Sequence, residues 1–551
     1  MSSRFTLENP HIVLKLDPMA SRMMFRRPDT GTRLESSIPT LSYLESGRPK
    51  RLTLMQVGSM GEMKPHAAPF RDHQSLRWEE TVEGFKLALE WAIPSYAPHI
   101  LWRWSLRNMR SDPIRLQRAL MLACANQAFL EQTGAGGLCK GFPRGTLSRD
   151  GLDLTFPGLP ATLAVYLPGW QSWSYGGWVM AEDRVPRSRL GPLTLPIIYD
   201  QARNPPRTQG HFRSEMFAAV LDTQTRANLT CGFLSQRQSF GSVDVRIHGD
   251  ARALSVTMDL DGLKLDPNAE FHSDWACLQL GDHGVEGLED YAALVGSFNQ
   301  ARVAEKASVG WCSWYGYGQA ITEAEITANV EAASAVFDQT PSRVIQIDDG
   351  FQTEIGDWLS IGPAFPSGMR QVANTIKHAG YEAGIWLAPF IALSRSRVVK
   401  NHPDWILRSK WGMPANTGFV WNQFGRAFDP THPGFLEYLQ QVVATATADW
   451  GYAYLKLDFL YAGALAGIRH DPGYTRAQAF YKALRLIRET VGGSVTLVGC
   501  GCPLGAGIGI FDRMRIGPDV AAHWKPSIPP MTRLLSKEPT LPGAVNAIRN
   551  T

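Results

Sequence analysis

The sequence predicts a two-part fold: an antiparallel β-sandwich over residues 1–300, followed by a parallel (β/α)8 barrel over residues 301–551. Three observations predict it. Up to about residue 300, apolar and polar residues alternate with a period of two, in stretches broken by Gly, Pro, Asn and Asp, the pattern of antiparallel strands with one buried face. After that, short apolar runs alternate with helical segments, so each strand has to reach the next through a crossover helix. Polar and aromatic residues then gather at the C-terminal ends of the later strands, the face on which a barrel builds its site. A doubly wound sheet would concentrate ligand groups at one switch point instead.

In the front half the alternating runs are "HILWRWSLRNM" (99–109), "ATLAVYLPGW" (161–170), "SVDVRIHG" (242–249) and "RALSVTMDLDGLKL" (252–265). In the second half the strand candidates begin at "VGWCSW" (309), "RVIQID" (343), "EAGIWLAP" (382), "AYLKLDF" (453), "VTLVGC" (495) and "RMRI" (513). Two helices announce themselves by capping boxes, "TEAE" at Thr322–Glu325 and "TRAQ" at Thr475–Gln478, the second stopping at Gly492 and Gly493. Six strands precede Thr551, two short of the eight that close a barrel. The reading therefore expects a barrel cut short after strand six, which puts activity in question.

Bulk properties narrow the class. With 551 residues, 44% apolar and 19% charged, the chain is too long for one core and too apolar to be disordered. The net charge of +4 is spread without a basic block, which argues against nucleic-acid and anionic-membrane partners. No run of eighteen apolar residues and no signal-like N-terminus occur, so a cytoplasmic protein is expected. Seven scattered cysteines fit reduced thiols.

The chemistry centres on "YLKLDFLYAG" (454–463), where Lys456 and Asp458 enter a buried strand and share one face, with Leu455, Leu457 and Phe459 on the other. Such a pair is either a buried structural ion pair or a catalytic carboxylate held ionised by an ammonium. A second acid, Asp519, comes from a different strand, and two acids flanking an aromatic-walled pocket suit glycoside hydrolysis. Asp458 then suits the nucleophile, its pKa lowered by Lys456. Asp519 suits the proton donor, its pKa raised by apolar walls or by Asp458. Arg515 is assigned to a sugar hydroxyl rather than to the acid. In "QIDDGF" (346–351), Asp348 and Asp349 either cap a helix or grip neighbouring sugar hydroxyls. Trp173 and Trp386 are candidates for stacking on a pyranose, against the ordinary alternative of core residues.

These residues carry a resemblance. "GWCSWY" (310–315), "QIDD" (346–349), "GIWLAPF" (384–390), "LKLDFL" (455–460), "GCGCPL" (499–504) and "MRIGPD" (514–519), with "GWQSWS" (169–174) before them, are similar to motifs of glycoside hydrolase family 36, especially its bacterial α-galactosidases. The resemblance implies a β-supersandwich packed on a (β/α)8 barrel, and a retaining double displacement without metal or cofactor. It implies Asp458 as nucleophile, Asp519 as acid/base, and Asp348 and Asp349 on the galactose 4- and 6-hydroxyls. Tyr315, Trp386, Lys456, Cys500 and Arg515 complete the subsite by the same resemblance, with Trp173 lent to the pocket by the front domain. The expected partner is an α-galactoside oligosaccharide. Galactosyl transfer of the raffinose-synthase type and galactose binding without turnover are the alternatives.

Two rival motifs fail. "VGCGCPLGAGIGIF" (498–511) lacks the dinucleotide spacing and is interrupted by Pro503. Cys500 and Cys502 have the wrong spacing for a CxxC metal or redox pair, and the thirteen histidines form no HExxH.

Overall fold

The computed structural model describes the chain except residues 1–4, 18–21, 29–31, 56–61, 67–69, 71, 127, 129–153, 156–159, 189, 191–194, 201–205, 305–306, 338–342, 527–534, 537, 539–540 and 550–551. Two compact units result. The first comprises Met1–Gly169, Gly176–Pro186 and Pro205–Phe298; the second comprises Trp170–Tyr175, Arg187–Asn204 and Asn299–Thr551.

Alternation in the front half produces antiparallel sheets. Among the described residues these have five, ten and six strands. All four alternating runs fall on strands, at His99–Asn108, Leu163–Leu167, Phe240–His248 and Ala251–Leu265. The sheets enclose a core that includes the fully buried indoles of Trp91, Trp102 and Trp104. Trp102 and Trp104 satisfy their ring N–H groups on the Met121 carbonyl and sulfur, as a buried indole requires.

In the second unit every strand candidate is present, and all run parallel in sequential order: β1 (Val309–Cys312), β2 (Arg343–Ile347), β3 (Glu382–Leu387), β4 (Tyr454–Leu457), β5 (Thr496–Gly499) and β6 (Arg513–Met514). Crossovers carry helices α1 (Glu323–Phe337), α2 (Gly368–His378), α3 (Pro433–Ala444) and α4 (Arg476–Val491). Both capping boxes form. Thr475 accepts from the Gln478 amide while the Gln478 side chain accepts from the Thr475 amide, and Glu325 returns to the Thr322 amide at 2.9 Å. These reciprocal bonds satisfy amides that a helix start leaves open. Between β3 and α3 the chain makes a small antiparallel excursion, with a hairpin of Asn416–Val420 and Gln423–Ala427. Its two-residue turn, Trp421–Asn422, has φ of 48° and 58°, the left-handed pair that matches strand twist in a tight hairpin.

Candidate functional site

Register assembles the site. Gln346 lies opposite Gly384, and Trp386 opposite Lys456. Two residues beyond Gln346, Asp348 reaches the level of Trp386 and Lys456. The Lys456 ammonium therefore meets Asp348, Nζ to Oδ2 at 2.9 Å, and makes no ion pair within 4 Å to Asp458. Lys456, expected to keep Asp458 ionised from the same face, thus makes its direct ion pair with Asp348 and acts on Asp458 through the field alone. Burial pushes the Lys456 ammonium down, but the carboxylates of Asp348 and Asp458 outweigh it and hold the group well above its ordinary value.

Asp458 is held by other donors. Its Oδ2 accepts from Trp386 Nε1 at 3.2 Å, and its Oδ1 from the Phe459 amide at 2.8 Å. Trp386 is 2% exposed and packs edge-on to Trp358 and Trp421. It is thus a buried donor that positions the carboxylate, the core alternative of the two readings, rather than a stacking platform. Phe459 also departs from the strand pattern. β4 ends at Leu457, and Phe459 sits at φ 51°, ψ 32°, a left-handed conformation that costs a non-glycine residue about 1–3 kcal/mol. The turn points its amide at Asp458 and sets its ring 5.0 Å from Trp173 and 4.9 Å from Trp421.

Asp349 is no helix cap. Its Oδ2 accepts from Gln319 Nε2 at 2.7 Å and Trp421 Nε1 at 2.8 Å, and its Oδ1 from Gln352 Nε2 at 2.6 Å. Burial nevertheless raises its pKa, against these donors and with Asp348 adding to the rise. Asp348 accepts in addition from Gln346 Nε2 at 2.7 Å and from the Asp349 amide at 3.0 Å. Gln319, Gln346 and Trp421 were not singled out in the sequence. Only the Trp-Asn turn offered a signal, and it marks a hairpin rather than a site.

Arg515 lies between the two candidate acids. Its Nη1 donates to Asp519 Oδ1, and its Nη2 stands 4.0 Å from Asp458 Oδ1. Arg515, expected to bind a sugar hydroxyl and fix geometry rather than to set the acid's pKa, is also the ion-pair partner of Asp519. Its Nε and Nη2 are buried without a hydrogen-bond acceptor, while its guanidinium carbon lies 5.0 Å over the Trp173 ring. Burial pushes the guanidinium down, but Cys500, Asp458 and Asp519 together hold it above its ordinary value. Gly501 makes room for Trp173: at φ 62°, a Cβ there would come within 2.5 Å of the indole.

The remaining candidates lie close by. Desolvation pushes the Tyr315 hydroxyl up to about 12, Asp519 acting in the same sense, although the residue is 56% exposed. Burial pushes the Cys500 thiol up to about 12, with Arg515 opposing and Asp458 assisting; the thiol is neutral at ordinary pH. All ten sequence-derived candidates thus fall in one network of contacts and charges. The six described cysteines are free, and Cys139 lies outside the described residues. No group of three or more His, Cys, Asp or Glu suited to a metal occurs among the described residues. No helix among them is long and apolar enough to cross a membrane.

Comparison with known proteins adds kinship. Residues 343–481 match the Melibiase family model, a span that holds Asp348, Asp349, Trp386, Lys456 and Asp458 and stops before Asp519. An α-galactosidase of Escherichia coli is 30% identical over 154 residues, 26% of this chain and 21% of that enzyme. Alpha-galactosidase 2 of Pediococcus pentosaceus is 23% identical over 154 residues, 26% of this chain and 20% of its own length. The chain thus spans about one fifth of the length of these curated relatives. The structure of an α-galactosidase from Thermus thermophilus with p-nitrophenyl α-D-galactopyranoside superposes with a TM-score of 0.59 at 25% identity, covering 86% of this chain and 80% of that one. The family 36 α-galactosidase AgaA of Geobacillus stearothermophilus shares the fold, with a TM-score of 0.62 at 12% identity over 96% of this chain and 79% of that one.

Proposed function

Since the chain is related in sequence and fold to the glycoside hydrolase family 36 α-galactosidases, we propose that it is a retaining α-galactosidase whose six parallel strands are an arc of a (β/α)8 barrel. Asp458 attacks the anomeric carbon while Asp519 gives its proton to the departing oxygen. Asp519 then activates the water that releases galactose. Asp348, Asp349 and Lys456 meet the hydroxyls at the closed end of the site, and Trp386 keeps Asp458 aimed.

The observation that carries this reading is that one guanidinium faces both acids. Arg515 reaches Asp519 with Nη1 and approaches Asp458 with Nη2, so the carboxylates sit on either side of a single planar group. Two acids gathered on one group in this way can flank a single glycosidic bond, as glycoside hydrolysis requires, and the retaining route rests on kinship with the family. The unpartnered Nε and Nη2 are donors for a substrate hydroxyl, and taking one lets Arg515 release Asp519 for protonation.

Proton NMR of p-nitrophenyl α-D-galactopyranoside hydrolysis tests the reading. α-Galactose appearing first, with the β-anomer growing in by mutarotation, supports it; β-galactose first contradicts it.

A further inference from the structure

Beside Asp519 lies a cavity of about 370 Å³, within the range of about 300–1,000 Å³ typical of small-molecule sites. Trp173, Phe459, Phe419, Val420, Ile197 and Leu541 are among its walls, and Asp519 is the one charged residue among the described residues that line it. The contrast with the other side of the site is chemical. Around Asp348 and Asp349 the walls offer amides, an ammonium and an indole N–H; here the described lining residues other than Asp519 are apolar or aromatic.

Position tells which part of a substrate such a cavity receives. A general acid must come within hydrogen-bond reach of the oxygen it protonates. Whatever departs on that oxygen therefore occupies the space next to Asp519. A departing sugar would set several hydroxyls against walls whose described residues are apolar or aromatic apart from Asp519, and each hydroxyl buried there without a partner is penalised. A hydrocarbon group gains from the same walls. Phe419 and Phe424, 43% and 42% exposed and edge-to-face at 5.4 Å, extend the apolar surface toward solvent.

From this we infer that the preferred substrates are α-galactosides of apolar alcohols, with an alkyl or aryl aglycone, and not oligosaccharides. The inference rests on the proposed α-galactosidase reading and on Asp519 as its acid.

Ethyl and octyl α-D-galactopyranoside, whose alkoxide leaving groups are nearly equal in basicity, isolate the apolar contribution. The full chain should turn over the octyl substrate with kcat/KM about 30-fold above the ethyl one, mainly through KM. That gain corresponds to two or three buried methylenes at about fourfold each. Melibiose should fall below the octyl glycoside. Phe419→Ser and the isosteric Val420→Thr should each lower the octyl-to-ethyl ratio by about threefold or more, whatever their absolute rates. Ethyl and octyl rates within threefold of each other, or a preference for melibiose, overturn the inference and leave the α-galactosidase reading standing. No turnover of either alkyl glycoside or of p-nitrophenyl α-D-galactopyranoside overturns both.

Discussion

At the start of α4, Arg476 is closed off. Its Nη1 and Nη2 donate to Asp200 at 2.5 and 2.7 Å, and both side chains are 1% exposed. At the C-terminal end of the sheet, Arg515 hydrogen-bonds one acid, Asp519, stands 4.0 Å from a second, Asp458, and keeps two buried donors without hydrogen-bond acceptors. Both are arginine–aspartate pairs in the same unit, yet folding completes only the first. A buried arginine bound bidentately to its acid joins Arg187–Asn204 to α4. The other, with donors to spare, stands between two acids.

Satisfaction alone does not mark function, however, and the first unit shows why. Asp274 there accepts from the Ser235 hydroxyl and from the amides of Arg237, Gln238 and Ser239, a network that pins a turn and leaves nothing over. His99 in the same unit has a buried Nε2 without a hydrogen-bond partner, yet the charge acting on it besides burial is that of His73, not of an acid or an arginine. Leftover polarity suggests chemistry only where several such groups converge.

Four substitutions separate the sealed arginine from the one at the site. Asp458→Gly should lower activity on p-nitrophenyl α-D-galactopyranoside by about 10⁴-fold or more, with azide restoring part of it. Unrescued loss in a folded protein would count against a nucleophile. Arg476→Ala should destabilise the second unit by about 3–5 kcal/mol, because it strands Asp200 as a buried charge. Denaturant titration reads this directly, and a loss under 1 kcal/mol would mean that the pair is not sealed in solution. Asp519→Ala should cost about 10²–10⁴-fold on galactosides with poor leaving groups, and far less on the p-nitrophenyl substrate. Equal losses on both would remove it from the acid's role.

The smallest effect concerns His99. Burial, with His73 adding to it, pushes its imidazole down to about 4, below an unfolded value near 6.5. The unfolded chain therefore binds the extra proton first, and stability is lost as pH falls from about 6.5 toward 4. Between pH 7 and 5 the loss should be about 2 kcal/mol, and His99→Phe should flatten that slope in urea titrations. An unchanged slope would place the acid sensitivity elsewhere.

Much of the architecture was legible because it rests on local rules. Period-two alternation placed the front strands, and the capping boxes at Thr322 and Thr475 placed two helix starts to the residue. The membership of the site was legible too, since strand ends collect polar residues. Pairings were not. Alternation assigns Lys456 and Asp458 to one face but is silent about cross-strand register, and it is register that brings Asp348 to Lys456. Likewise, pattern alone cannot tell a buried indole donor from an exposed platform, which is why both alternatives stood open for Trp386 until its burial was seen. Phe459 escaped because its left-handed backbone breaks the alternation from which its direction was inferred. Trp421 reaches Asp349 from a hairpin some seventy positions along the chain, a contact no local signal encodes.

As the proposed nucleophile, the Asp458 carboxylate forms a covalent bond to galactose during each turnover. Incubating the chain with a slow 2-deoxy-2-fluoro-galactosyl substrate bearing a good leaving group, then digesting and sequencing by mass spectrometry, tests it most directly. A fluorogalactosyl adduct on Asp458 is the predicted result; an adduct on another carboxylate, or steady turnover of that substrate with no adduct, contradicts the account.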